Sequence, residues 1–223
     1  MQSWVERWMG FHALLLLVFT LSFYFIDLLP YLAIPISASF LFFFIWNAYR
    51  QKSLIFLIQP ANLITTFRLC LLLYFCWAYP SIPVLHLGLL ALLVLCMDGL
   101  DGFLARKYQT VSLFGEYLDM ETDAFYVLCL SVILYELNYF GAWILMVGLL
   151  RYGYFLLLRN TKAPEQKETR IFQARLIAVI LMATLAACFL LPSFLHRPAM
   201  GIATLLVFYS FGNSFWLVVK NGD

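Results

Sequence analysis

The sequence predicts an all-α fold, a polytopic membrane helix bundle of about eight transmembrane helices, on three observations. Hydrophobic residues make up 64% of the chain and charged residues only 12%, which leaves too little polar surface to keep a folded chain in water. Apolar runs of roughly 20 residues, the length that a hydrocarbon core of about 30 Å demands, recur from end to end. The breaks between them carry Pro, Gly or charge, the punctuation expected where spans end.

In chain order these runs fall at 8–27, 31–49, 61–79, 82–105, 115–137, 140–158, 171–191 and 198–219. The first is followed directly by a second hydrophobic stretch and shows no small-residue cleavage site, so a span suits it better than a removable leader. The second holds "SFLFFFIWNAY", Ser39 to Tyr49, a lipid-facing or helix-packing surface. Residues 50–60, "RQKSLIFLIQP", are too short to span, and their basic start suits a segment lying at the membrane surface. The third run lies between Pro60 and Pro80. The fourth ends and the fifth begins among acids. Asn138 separates the fifth from the sixth, a charged stretch separates the sixth from the seventh, and Pro192 and Pro198 flank the last break.

Lys and Arg fix the orientation. With the N-terminus in the cytoplasm, the inner loops and ends hold Arg7, Arg50, Lys52, Arg106, Lys107, Arg159, Lys162, Lys167, Arg170 and Lys220, and the outer loops hold only Arg197. Arg68, Arg151 and Arg175 fall within or at the ends of spans, where a cation needs a polar cavity or a partner.

The most informative stretch is "DGLDGFLARKYQTVSLFGEYLDMETD", Asp98 to Asp123. On a helix Asp98, Asp101, Gly102, Ala105 and Arg106 share one face, and Asp119 and Asp123 stand one turn apart on the next helix with Gly115 a turn earlier. Two such helices could aim four carboxylates at one point. Gly99, Gly102 and Gly115 would permit close approach of a helix or a ligand. Four carboxylates would repel strongly, which leaves protonation or bound divalent cations to hold them. An all-oxygen ligand set without His or Cys suits Mg²⁺ or Mn²⁺. Glu116 and Glu121, off this face, read as solvated charges.

This stretch resembles the signature of the CDP-alcohol phosphatidyltransferase family, D-x-x-D-G-x-x-A-R-x(8)-G-x-x-x-D-x-x-x-D, at every fixed position. Upstream, "NLITTFR", Asn62 to Arg68, is similar to the family's N-x-x-T-x-x-R element. The resemblance implies a six-helix core within residues 51–223 and makes the two helices of residues 1–50 an addition. It implies two divalent ions at Asp98, Asp101 and Asp119, with Asp123 also at the metals and acting as general base. By matching position, Asn62, Thr65, Asp98, Gly102, Ala105 and Arg106 would enclose the CDP moiety. The reaction implied is CDP-diacylglycerol plus an alcohol giving a phospholipid and CMP, at the cytoplasmic face of a membrane of the bacterial inner-membrane type.

Arg151, with Arg170 and Arg175 on the following loop and span, could form a basic pocket for a phosphorylated acceptor such as glycerol 3-phosphate or an inositol phosphate. Glu136 is the one nearby acid outside the motif, so Arg151 is expected without a partner, about level with residues 125–127 and facing a polar cavity. Family members acting on glycerol phosphate often carry Arg-Glu in this region, whereas Tyr152 follows Arg151 here.

Cys70, Cys76, Cys96, Cys129 and Cys188 all lie in apolar runs and read as small buried hydrophobes. His12, His86 and His196 are too scattered for a metal site. No nucleic-acid motif, Gly-rich phosphate loop or nucleophile elbow occurs, so nucleic acid is not an expected partner. The partners expected are CDP-diacylglycerol, a small alcohol, the lipid bilayer and, compatibly, a second copy of the chain. A CDP-choline or CDP-ethanolamine phosphotransferase acting on diacylglycerol would use the same motif. An inactive scaffold would be expected to have lost a motif residue, and none is lost.

Overall fold

The computed structural model describes residues 2–23, 29–51, 59–108, 112–158 and 168–221, and these form eight α-helices joined by turns. In order they are α1 (Gln2–Phe23), α2 (Leu29–Gln51), α3 (Pro60–Ala78), α4 (Val84–Lys107), α5 (Leu113–Glu136), α6 (Trp143–Leu158), α7 (Glu168–Ala187) and α8 (Ser193–Asn221). Each coincides with one expected span. The surface segment expected at 50–60 lies largely outside the described residues, as do Arg159, Lys162 and Lys167.

Helix ends follow local chemistry. Pro60 occupies the first turn of α3, where its missing N–H is no loss. Ser112 caps α5, its hydroxyl accepting from the Gly115 N–H at 3.1 Å. At the other end of α5, Asn138 takes φ 57°. Its N–H donates to the Tyr135 carbonyl and that of Tyr139 to the Leu134 carbonyl. These paired bonds close the helix in a Schellman turn, with Asn in the left-handed position usually given to Gly.

The stretches 4–22, 60–81 and 84–104 are long and apolar enough to cross a membrane, and 143–157 and 172–187 are apolar but shorter. α5 has the length, yet its first half carries Glu116, Asp119, Glu121 and Asp123. Phe11, Leu14, Phe42, Trp77, Phe194, Leu205 and Trp216 are among many large apolar side chains facing outward. In water such a surface would drive aggregation; in a bilayer it is the solvated face. The protein is an all-α membrane helix bundle.

α5 is the centre. Phe125, Tyr126, Leu128, Leu130, Val132, Ile133 and Leu134 are all buried. The Tyr126 hydroxyl stands 3.2 Å from the Ala91 carbonyl of α4 and 3.4 Å from that of Met182 in α7, tying three helices at one point. Cys76 of α3 and Cys129 of α5 meet as free thiols with sulfurs 3.2 Å apart. α1 and α2 join this body through aromatic stacking. Trp8 lies 4.1 Å from Phe43, and Phe43 lies 5.2 Å from Phe114 of α5, measured between ring centroids. Trp8 also donates its indole N–H to the Ser39 carbonyl, and the His12 ring meets the Ser39 hydroxyl at 2.8 Å.

α6 lies close against α5 because Gly148 faces Leu128: a Cβ added at Gly148 would stand 2.9 Å from the Leu128 Cα. Backbone cannot yield there. Gly148→Val is therefore expected to destabilise the protein by about 1–3 kcal/mol. Gly201→Ala, in open space on α8, should be neutral or stabilising by a few tenths up to about 1 kcal/mol. Thermal unfolding in detergent measures both, and equal melting temperatures would remove the close-packing argument.

Candidate active site

Three helices bring their charges to one place. α3 supplies Arg68, which has no exposed surface. Its Nη1 lies 2.8 Å from Asp98 Oδ1 of α4 and 3.0 Å from Asp119 Oδ1 of α5, and its Nη2 lies 2.6 Å from Asp123 Oδ1. Ligand oxygens of the three aspartates fall within 4.8 Å of one another. The spacing of four between Asp119 and Asp123 produces this convergence, since it sets them one turn apart on the face of α5 that meets α3.

Arg68 supplies the feature that the reading by protonation or cations alone had left out. One buried guanidinium offsets one of three carboxylates from behind. The Asp98, Asp119 and Asp123 side chains remain 23%, 41% and 33% exposed on the other side. A hard divalent cation fits this cluster: all the donors are oxygen, and among the described residues three carboxylates gather about one guanidinium, an excess of negative charge that a double positive charge would offset. The cluster thus offers a site for a divalent metal ion.

Upstream of Arg68 on α3, Asn62 and Thr65 are buried. Asn62 donates to the Gln59 side chain at 3.3 Å, and the Thr65 hydroxyl donates to the Ala61 carbonyl at 3.0 Å. Gly115 lies directly against Asn62: a Cβ there would stand 2.5 Å from Asn62 Oδ1. The start of α5 is thereby held to the start of α3. Among the described residues, nothing lies within 4 Å of a Cβ built on Gly99, because it follows Asp98 on α4 by 100° and turns away from the cluster. Gly102 is half-buried. The side chains of Asp101, Ala105, Arg106 and Arg170 lie outside the described residues.

Beside the cluster, a cavity of about 270 Å³ runs between α5, α6, α7 and α8, and Asp123 lines it. Its walls are apolar except for Asp123, Arg151 and Ser210. Arg175 is exposed and outside this lining, although Ala174 and Ile177 on the same helix contribute to it.

Two expectations about charge are corrected here. Glu121 is not a solvated charge but is 3% exposed, and Arg151 is not without a partner: its Nη2 lies 3.0 Å from Glu121 Oε1. Arg151 also donates to the Met120 carbonyl. Glu136 instead lies 3.3 Å from the Tyr79 hydroxyl. The cause is helix phase and side-chain reach. Glu121 stands about 200° round α5 from Asp119, on the side facing α6. With Gly148 packed on Leu128, the Arg151 backbone lies about 4.5 Å nearer the aspartates, near the depth expected, and its long side chain reaches on to Met120 and Glu121.

A family model described as CDP-alcohol phosphatidyltransferase matches residues 58–212. A probable CDP-diacylglycerol–inositol 3-phosphatidyltransferase of Arabidopsis thaliana is 50% identical over 42 residues, 19% of either chain. The CDP-diacylglycerol–glycerol-3-phosphate 3-phosphatidyltransferase of Bacillus subtilis is 34% identical over 92 residues, 38% of this chain and 48% of that protein. The aligned stretches thus span about a fifth of the plant protein and about half of the bacterial one. No solved structure matches the chain significantly. The family match leaves α1 and α2 outside, but it runs from just before α3 into α8 and takes in the aspartate cluster, and so the chain belongs to the CDP-alcohol phosphatidyltransferase family.

Proposed function

We propose that this protein transfers the phosphatidyl group of CDP-diacylglycerol to a small phosphorylated alcohol, releasing CMP. The observation that carries the reading is the double position of Asp123, which belongs to the aspartate cluster and also lines the apolar cavity. A donor with a charged pyrophosphate and two acyl chains needs such a junction. The names of the relatives, both CDP-diacylglycerol enzymes, favour this donor over a water-soluble CDP-alcohol.

Asp98, Asp119 and Asp123, with Asp101 by its motif position, would hold a pair of Mg²⁺ or Mn²⁺ ions. When bound, the ions neutralise charge on the pyrophosphate as CMP departs. The chain's own residues do the rest. Asn62, Thr65, Gly102, Ala105 and Arg106 enclose the nucleotide by motif position. Asp123, one oxygen held by Arg68, keeps its other oxygen for the alcohol proton. The alcohol oxygen bonds to the phosphorus bearing diacylglycerol, the bond from that phosphorus to the bridging oxygen breaks, and CMP leaves with the electron pair. Arg151 lines the same cavity with its side chain 27% exposed, where the guanidinium can meet the phosphate of the acceptor. α1 and α2 are an addition to this core, and the active site faces the cytoplasm in a membrane of the bacterial inner-membrane type.

CMP release from labelled CDP-diacylglycerol, with glycerol 3-phosphate and inositol phosphate set against the unphosphorylated alcohols, tests donor and acceptor together. Activity should require Mg²⁺ or Mn²⁺ and vanish in EDTA, and Asp98→Asn and Asp119→Asn should abolish turnover through weakened metal binding. Asp123→Asn should still bind CDP-diacylglycerol but lose turnover by about 10²-fold or more. Full activity of that variant would remove Asp123 from the role of base.

Orientation has its own test. In a background without native cysteine, cysteines at Gln109 and Pro164 should be shielded from impermeant reagent in intact cells, and one at Asn138 should react. The reverse labelling pattern would place the site on the outer face.

A further inference from the structure

Glu121 has no part in the chemistry described so far, yet it is a carboxylate with 3% exposure inside a membrane bundle. It lies between Asp119 and Asp123 in sequence but on the opposite side of α5, facing α6 rather than the cluster. Its partner is Arg151 at 3.0 Å, whose other arm donates to the backbone carbonyl of Met120. Both acceptors belong to α5, so the guanidinium of α6 is held at two points to the helix that carries Asp123. The remaining N–H bonds of its five have no acceptor among the described residues, and the side chain lines the cavity that Asp123 also lines.

On the far side of this pair α1 packs against α6. Tyr152, next to Arg151, is 2% exposed, and its ring meets His12 of α1 edge-on with centroids 6.4 Å apart. His12 is in turn held by Ser39 of α2 at 2.8 Å. An arginine side chain free to rotate would lose much of its conformational freedom on gripping a phosphate. One already fixed by a buried carboxylate and a backbone carbonyl has lost it before the ligand arrives.

We propose that Glu121 is a positioning residue for the acceptor site, fixing Arg151 so that the open edge of its guanidinium presents to an anionic group on the alcohol beside Asp123. This rests on the reading of Arg151 as the contact to a phosphorylated acceptor. Glu121 touches no substrate. It acts through Arg151 and sets the affinity for the acceptor, whereas the metal ions and the pyrophosphate of the donor meet the aspartate face of α5.

Steady-state kinetics of the full-length protein in detergent or nanodiscs, with CDP-diacylglycerol and glycerol 3-phosphate each varied, test this. Glu121→Gln keeps the size and one hydrogen bond but removes the charge; it should raise KM for the acceptor about tenfold, with kcat at saturating acceptor near wild type. KM for CDP-diacylglycerol and the Mn²⁺ concentration giving half-maximal activity should not move. Arg151→Ala should raise the acceptor KM at least as much, and adding Glu121→Gln to it should raise it no further. An unchanged or lowered acceptor KM in Glu121→Gln, with Arg151→Ala still raising it, would overturn the role of Glu121 and leave that of Arg151 standing. An altered metal requirement in Glu121→Gln would overturn it in favour of support to Asp119 and Asp123. An acceptor KM that Arg151→Ala leaves untouched would sink the phosphate reading and this inference together, and absence of CMP release from the wild-type protein would sink the proposed reaction itself.

Discussion

The guanidinium of Arg68, without exposed surface, is bound to carboxylates from two other helices, and the arrangement of α3, α4 and α5 depends on that contact. A cation at this depth is tolerated only with partners, and three aspartates at this spacing are tolerated only with positive charge among them. Each side makes the other affordable. Breaking such a buried pair from one side costs about 3–5 kcal/mol, a large share of the roughly 5–15 kcal/mol that holds a typical domain together. The remaining fixings of α5, the Asn62–Gly115 approach and the Tyr126 hydroxyl between α4 and α7, keep the carboxylates in register with the arginine.

α5 carries two charged systems on opposite faces, and this division follows from helical phase. Asp119 and Asp123, four residues apart, turn toward α3 and α4, and Glu121, midway between them, turns toward α6. The first face leaves negative charge exposed and fits a divalent cation. The second is a one-to-one pair of Glu121 with Arg151 and is neutral. Between them lies the apolar cavity, which both Asp123 and Arg151 line.

Much of this was legible in the sequence, for physical reasons that can be named. Lipid demands long uninterrupted apolar runs, so all eight helices appear as hydrophobic segments even where capping signals are weak. Fixed spacing within a helix made the convergence of Asp119 and Asp123 predictable, and Arg68 was visible as a charge in need of a partner. Its role as counter-ion was not visible, because spacing within α3 says nothing about which helix α3 packs against. Glu121 shows the same limit: helix phase takes it off the aspartate face, and what lies on the other side is α6 with Arg151 rather than water. Gly99 shows the converse, a glycine within the motif that no neighbour among the described residues approaches. Pairings between helices set the energetics here, and a single sequence records them only as charges awaiting partners.

The position of the cluster also explains why so oily a chain holds these acids. Asp123 is 33% exposed at its side chain yet borders walls made of Ala124, Val127, Val147, Ile177, Leu181 and Val207. Deeper in the bundle, the carboxylates would lose the solvent access that a metal ion needs. In water beyond the helix ends, they would lose both the low dielectric that strengthens their contact with Arg68 and the apolar wall they border. The first half of α5, polar on the faces that meet Arg68 and Arg151 and buried and apolar further along, satisfies both demands within one helix. In the proposed reaction the aspartate spacing and the hydrophobic run that follows it would therefore be two parts of one requirement, to hold charged groups at the boundary where a lipid-bearing phosphate meets a water-borne alcohol.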